Sequence, residues 1–292
     1  MQVLACRVRT PLRLRRPSHL TPSASSSLHH FSSSSDAKPS VLDGPDGLLQ
    51  FANRSMERVT TEMERYREHS VFPPSNWLLQ NYLLFTKLQL PTNTEIDAVD
   101  FLNGARFACD LAVNTMYSRE FVNFATGAVT ESPAAEKMKS GLSESCYDAF
   151  LFAMKQTSKT GNKFTLKELE IKGVYLYDVN WDRMSLAELK QEEALEAYNR
   201  AQVAELEKQE DDGAVRDAEI VVDPMADVSP EDHAMMIERL RLDVLLDTVE
   251  HLEVETAETA GEVFEKNSSA VWRFESLVTQ PDDVDWRIVS VF

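Results

Sequence analysis

The order of elements in the sequence predicts an α+β fold in which N-terminal helices cover one face of a curved antiparallel sheet. Three observations carry that expectation. Apolar residues recur every three or four positions between Thr94 and Arg119, which is helical spacing. The spacing changes to two in the stretch after Asn162. The chain then closes on two alternating, Trp-containing segments separated by TQPDDVD, which reads as an antiparallel hairpin.

Residues 1–35 stand apart in composition. They hold five arginines (Arg7, Arg9, Arg13, Arg15, Arg16), no Asp or Glu, and a Ser run ending in Ser32 to Ser35. This is the composition of a transit peptide, and a short helix sets Leu4, Val8 and Leu12 opposite the arginines. Its apolar runs are too broken by Arg for a secretory signal. A plastid peptide is the competing reading, and the early Arg cluster favours the mitochondrion. A disordered basic arm is the bland alternative. Without these residues the formal net charge of −18 becomes −23, since five positive charges and no negative ones are lost. So acidic a body repels RNA phosphates and anionic lipid, which makes nucleic acid an unfavoured partner.

After a Pro/Gly/Asp linker, the 36–73 segment carries an amphipathic helix, LLQFANRSMERVTTEMERYREHS, with Leu48, Phe51, Met56, Val59 and Met63 on its apolar side. Pro73 and Pro74 end it. The 74–292 domain then opens on a helix that is apolar on nearly every side: Trp77, Leu78, Leu79, Tyr82, Leu83, Leu84, Phe85 and Leu88. It is shorter than the roughly 20 residues needed to span a bilayer. The next helix places Ile96, Val99, Leu102, Ala105, Cys109, Ala112 and Met116 on one stripe, with Thr94 and Asp97 as a capping-box-like start. A break at Gly127 to Pro133 precedes a helix through Leu142, Cys146, Ala149, Phe150, Ala153 and Met154.

The first strand is expected to put Leu169, Ile171, Tyr175, Tyr177 and Val179 on one face. A long strand over Ile237 to Glu255 puts Leu240, Leu242, Val244 and Leu246 together. In the closing hairpin Trp272, Phe274 and Ser276 alternate with Arg273, Glu275 and Leu277, and Trp286 and Ile288 with Arg287 and Val289. Between the first two strands lies an acidic insertion, 185–232, in which residues 188–232 hold fifteen acids against four bases. Its first half favours helix and its second half, through Gly213, Pro224 and Pro230, reads as loop or disorder. A solvated connection is the simpler reading of it, and a docking element the other. The whole is cone-like, of the cystatin or nuclear-transport-factor kind.

Candidate chemistry is sparse. Cys109, Cys146, His69, His233 and His251 supply no zinc spacing and no disulfide framework, so no metal or cofactor is expected. His251 with Asp247 is the one acid–base pair to consider for an enzyme using a cone cavity. No Gly-rich phosphate loop, GxSxG or HExxH is present, and no catalytic residue is assigned. Trp272, Phe274 and Trp286 read as core rather than as a recognition surface. The candidate partner-binding residues are Trp77, Leu78, Tyr82 and Phe85, because this helix has more apolar surface than one core-facing stripe needs. A partner groove, a peripheral membrane contact or burial on the sheet are the three ways to cover it.

Three stretches carry a family resemblance: DAVDFLNGARFACDLAVNTMYSREF, LKELEIKGVYLYDV and VWRFESLVTQPDDVDWRIVSVF. They resemble the domain family of import translocase subunit forty-four. The shared pattern is Phe101, Leu102, Asn103, Gly104 and Ala105 on a helix, then Trp272 and Phe274, then Asp285, Trp286, Arg287 and Ile288. It runs from Pro74 to Phe292 apart from the acidic insertion. Within the family, length, targeting segment and ending are most similar to the member that interacts with the matrix AAA peptidase, with a mitoribosomal large-subunit member as a further relative. The resemblance implies a mitochondrial matrix protein at the inner face of the inner membrane that binds proteins of an import, protease or ribosome-associated complex. The insertion after Trp181 departs from the family and leaves the specific partner open. The expected function is thus a non-catalytic adaptor or chaperone-like protein. A structural subunit of a large mitochondrial assembly is the alternative, and a small-molecule enzyme the weaker one.

Overall fold

A computed structural model describes residues 40–161, 163–212, 227–255 and 261–292. The expected targeting segment and residues 213–226 of the acidic insertion lie outside the described residues. The fold is α+β: among the described residues, six helices precede a four-stranded antiparallel sheet, curved and open, and a seventh helix follows its first strand.

Helix α1 (Pro45–Glu68) begins with a proline in its first turn, where no intrahelical donor is lost. Helix α2 (Leu78–Leu88) comes after the Pro73–Pro74 stop. In α3 (Ala98–Met116) the predicted stripe is core: Val99, Leu102, Ala105, Cys109 and Ala112 are all buried. Its cap is Asp97 alone, whose carboxylate accepts from Val99 N–H and Asp100 N–H. Thr94 is not part of a capping box; its hydroxyl donates to the Val278 carbonyl at 2.7 Å and ties the helix entry to the sheet.

Two short helices, α4 (Arg119–Ala125) and α5 (Pro133–Gly141), flank the break expected at Gly127 to Pro133, and the sequence did not show either of them. Each is capped by a serine, Ser118 and Ser132, and Ser143 does the same for α6 (Glu144–Lys159). Glu120 joins the two short ones, accepting from the Ser132 hydroxyl and the Ala134 N–H.

Strand β1 (Lys163–Ser185) pairs with β2 (Met236–Glu255), β2 with β3 (Glu262–Leu277), and β3 with β4 (Arg287–Val291), all antiparallel. Even-numbered residues of β2 point to the helices, and Leu240, Leu242, Val244 and Leu246 are buried there as expected. The expected face of β1 is corrected. Its register against β2 shifts three times, between Leu166 and Glu168, Ile171 and Gly173, and Leu176 and Asp178. Each shift is an extra residue that reverses the odd–even alternation. The helix-side residues are therefore Leu169 and Ile171, then Val174 and Leu176, then Val179 and Trp181, while Tyr175 faces the other way and Tyr177 is exposed.

The helices close on this face through aromatic contacts. Phe101 of α3 meets Phe274 edge-on at 5.4 Å and Trp286 at 4.7 Å, and Phe150 of α6 lies 6.5 Å from Trp272. The terminal aromatics are thus core rather than a recognition surface.

The opposite face of the sheet is charged. Arg273 pairs bidentately with Asp243, at 2.7 Å to each oxygen, and Arg241 bridges Asp182 and Glu275 at 2.6 and 3.0 Å. Helix α7 (Leu186–Asp212), the first half of the acidic insertion, docks on this face and is not merely solvated. Ala187 and Leu189 are buried, Glu192 accepts from the buried Arg239 at 2.7 Å, and Arg200 reaches Glu144 and Asp148 on α6.

Candidate functional site

The chain before α2 cannot remain helical through Pro73 and Pro74, so a new helix starts at Trp77, whose carbonyl receives Gln80 N–H and Asn81 N–H. This helix is apolar on nearly every side, and the tertiary fold divides it into two stripes. Leu84, Phe85 and Leu88 are buried. Phe85 is 0 % exposed and sits edge-on to Tyr66 at 5.9 Å, so it belongs to the core and is removed from the candidate surface.

The other stripe is bare. Trp77, Leu78 and Tyr82 are 61 %, 68 % and 40 % exposed, and Leu79 and Leu83 are exposed beside them. Three of the four residues singled out from sequence thus lie together at the surface. Leu79 and Leu83 join them because Leu78 and Tyr82, like Leu79 and Leu83, stand four residues apart and share a helix face. That i, i+4 relation was the signal for including them.

This stripe rests on a fixed base. Arg54 of α1 donates to the Gln89 carbonyl at 2.7 Å and the Thr92 carbonyl at 3.1 Å, satisfying orphan acceptors past the helix end. Arg58 donates to Gln89 Oε1 at 2.7 Å. Lys87 bonds Asp178 of β1 at 2.8 Å. Burial disfavours the Asp178 carboxylate, but Lys87, the Val179 N–H and Asn180 outweigh it and hold its pKa below the ordinary value. The exposed stripe itself carries no charge, in a chain whose formal net charge is −18.

The other candidates do not converge. Asp247 and His251 are four residues apart on β2, about 13 Å along a strand. Asp247 instead accepts the Ser269 hydroxyl at 2.7 Å. Cys109 is buried with its thiol pushed up to about 12 by desolvation, and thus packs as a small hydrophobe. Among the described residues, no group of three or more His, Cys, Asp or Glu is placed to hold a metal ion, and no helix is long and apolar enough to cross a membrane. An open groove of about 400 Å³ lies between the end of β1 and α7, lined by Arg183, Met184, Glu188, Gln191, Glu192 and Leu195.

Compared with known proteins, the chain matches no family model and no curated sequence.

Proposed function

We propose that the protein is a non-catalytic adaptor or chaperone-like protein of the mitochondrial matrix, which holds other proteins at the inner face of the inner membrane through the exposed stripe of α2. The observation that carries this reading is the uncharged row Trp77, Leu78, Leu79, Tyr82 and Leu83, left in water on a helix whose other side is anchored in the core. Covering one large apolar side chain is worth roughly 1.5–3 kcal/mol, so five of them offer several kcal/mol before the cost of association. The compartment rests on the Arg-rich, acid-free composition of residues 1–35 and on the family resemblance. The acidity of the body favours a protein partner over RNA.

The reading is tested by placing a photo-cross-linkable residue at Leu79 and, as a control, at Glu95, in mitochondria. The Leu79 position captures a discrete matrix protein, and the Leu78→Gln/Leu83→Gln double variant abolishes capture while keeping its circular dichroism. Stoichiometric recovery in one large complex would replace the adaptor by a structural subunit. Capture of lipid alone would make the stripe a membrane contact. A fusion of residues 1–35 to a reporter tests the compartment, and a cytosolic reporter rejects it.

A further inference from the structure

The two open edges of the sheet, along β1 and along the part of β3 that β4 does not cover, are in different states. The β1 edge is interrupted by three bulges, which twist a strand and spoil it as a template. Pairing of β3 with β2 runs from Leu277 to Glu262 without a shift, so its backbone keeps one alternation throughout. On the outer side of β3, β4 pairs only with the segment Trp272 to Glu275. Val271 and Phe292 then exchange both backbone hydrogen bonds, at 3.3 and 3.0 Å. Beyond that pair, among the described residues, no strand pairs with the outer edge from Glu262 to Ala270.

The Val271–Phe292 pair sets which backbone groups point outward. In an antiparallel ladder, alternate residues direct both N–H and C=O to the same neighbour. Every second residue before Val271 therefore faces outward: Ser269, Asn267, Glu265 and Val263. Their donors and acceptors form a row in line with β4. Edges are commonly protected by an outward lysine. Here Lys266 is drawn back over the sheet, with its ammonium 2.9 and 3.1 Å from the two Glu250 oxygens, where Tyr117 also donates.

The charge around this row identifies what would pair with it. The arm formed by residues 163–171, 247–255 and 262–270 holds eight carboxylates and three lysines. Glu265 stands on the edge strand itself, on the same face as Asn267 and Ser269, while the opposite face presents the half-exposed Phe264. An anionic strand would be repelled. A segment alternating Lys or Arg with apolar residues meets Glu265 on one face and Phe264 on the other.

We propose that the free β3 edge from Val263 to Ser269 is a docking site for an extended cationic segment of a partner protein, which adds as a further strand in line with β4. This surface is separate from the α2 stripe, and either can fail without the other.

The probe is a synthetic nine-residue peptide alternating Lys and Val, titrated against the full chain by fluorescence anisotropy. Saturable one-to-one binding is expected, with no binding of the Glu/Val counterpart. Two N-methylated versions, blocked on every second amide in opposite phases, separate strand addition from simple attraction to an acidic body. One phase loses at least tenfold in affinity and the other keeps it. Asn267→Pro removes an outward N–H at an edge position that tolerates proline and also loses at least tenfold. Hydrogen exchange reports slowed amides at Val263, Glu265, Asn267 and Ser269 on binding. Absence of saturable binding overturns the proposal. So does equal binding of both N-methylated peptides, which needs no variant to fold.

Discussion

Where α7 docks, both faces of the sheet are withdrawn from water, but by opposite chemistry. The helix side is filled by Leu240, Leu242, Val244, Leu246, Trp272 and Phe274, and any of these is stabilised by area alone. The α7 side buries Arg239 to 2 % exposure among Glu192, Asp182 and Glu275, and there stability depends on every charge keeping its partner. Burial raises the Glu275 pKa, and Arg239 and Arg241 offset only part of that. Apolar burial tolerates approximate neighbours, whereas a buried charge network is sensitive to the loss of one member.

That contrast is most exposed by removing one charge. Arg239→Met leaves Glu192 without its cation and the buried Glu275 with Arg241 alone, and is expected to cost about 3–5 kcal/mol in urea unfolding. The triple variant Arg239→Met/Glu192→Leu/Glu275→Leu restores most of that loss. If the triple is as unstable as the single variant, the network is not the cause. On the helix side, Leu242→Ala creates a cavity and costs about 2–5 kcal/mol, with no recovery from any neighbouring charge change.

A smaller effect is expected at Glu196, which is buried on α7 with neither oxygen in a hydrogen bond of good geometry. Burial pushes its carboxyl up to about 7; Glu275 and Glu144 add to this, and Ser145 and Arg200 act against it. The folded state binds the Glu196 proton more tightly than the unfolded state does. By linkage, this contribution is fully present below the usual carboxylate range and is lost as pH rises towards 7. Thermal unfolding between pH 5 and 8 should show that decline in the wild type and a flatter profile for Glu196→Gln. Equal slopes would place the titration elsewhere.

The smallest stability effect belongs to α2. Leu78→Gln and Leu83→Gln remove exposed side chains and should each change stability by no more than about 0.5 kcal/mol. Phe85→Ala, on the same helix but fully buried, costs about 3–5 kcal/mol. A large loss at Leu83 would show that the stripe is covered within the chain.

The sequence alone determined the class and order of elements, because periodicity is a local property. The α3 stripe from Val99 to Ala112 and the row Leu240 to Leu246 were legible for that reason. Helices α4 and α5 were not legible, because seven and nine residues are too few to show a period. Three things were settled only by tertiary structure. Bulges in β1 moved Tyr175 and Tyr177 off the expected face, and a bulge is fixed by the partner strand rather than by the bulged one. Helix α2 is apolar on nearly every side, so only its contacts with Tyr66 and β1 could decide that Phe85 is core and Leu79 surface. The acidic run of α7 reads as a solvated face until Arg239, 47 residues away from Glu192 in the chain, supplies the charge that docks it.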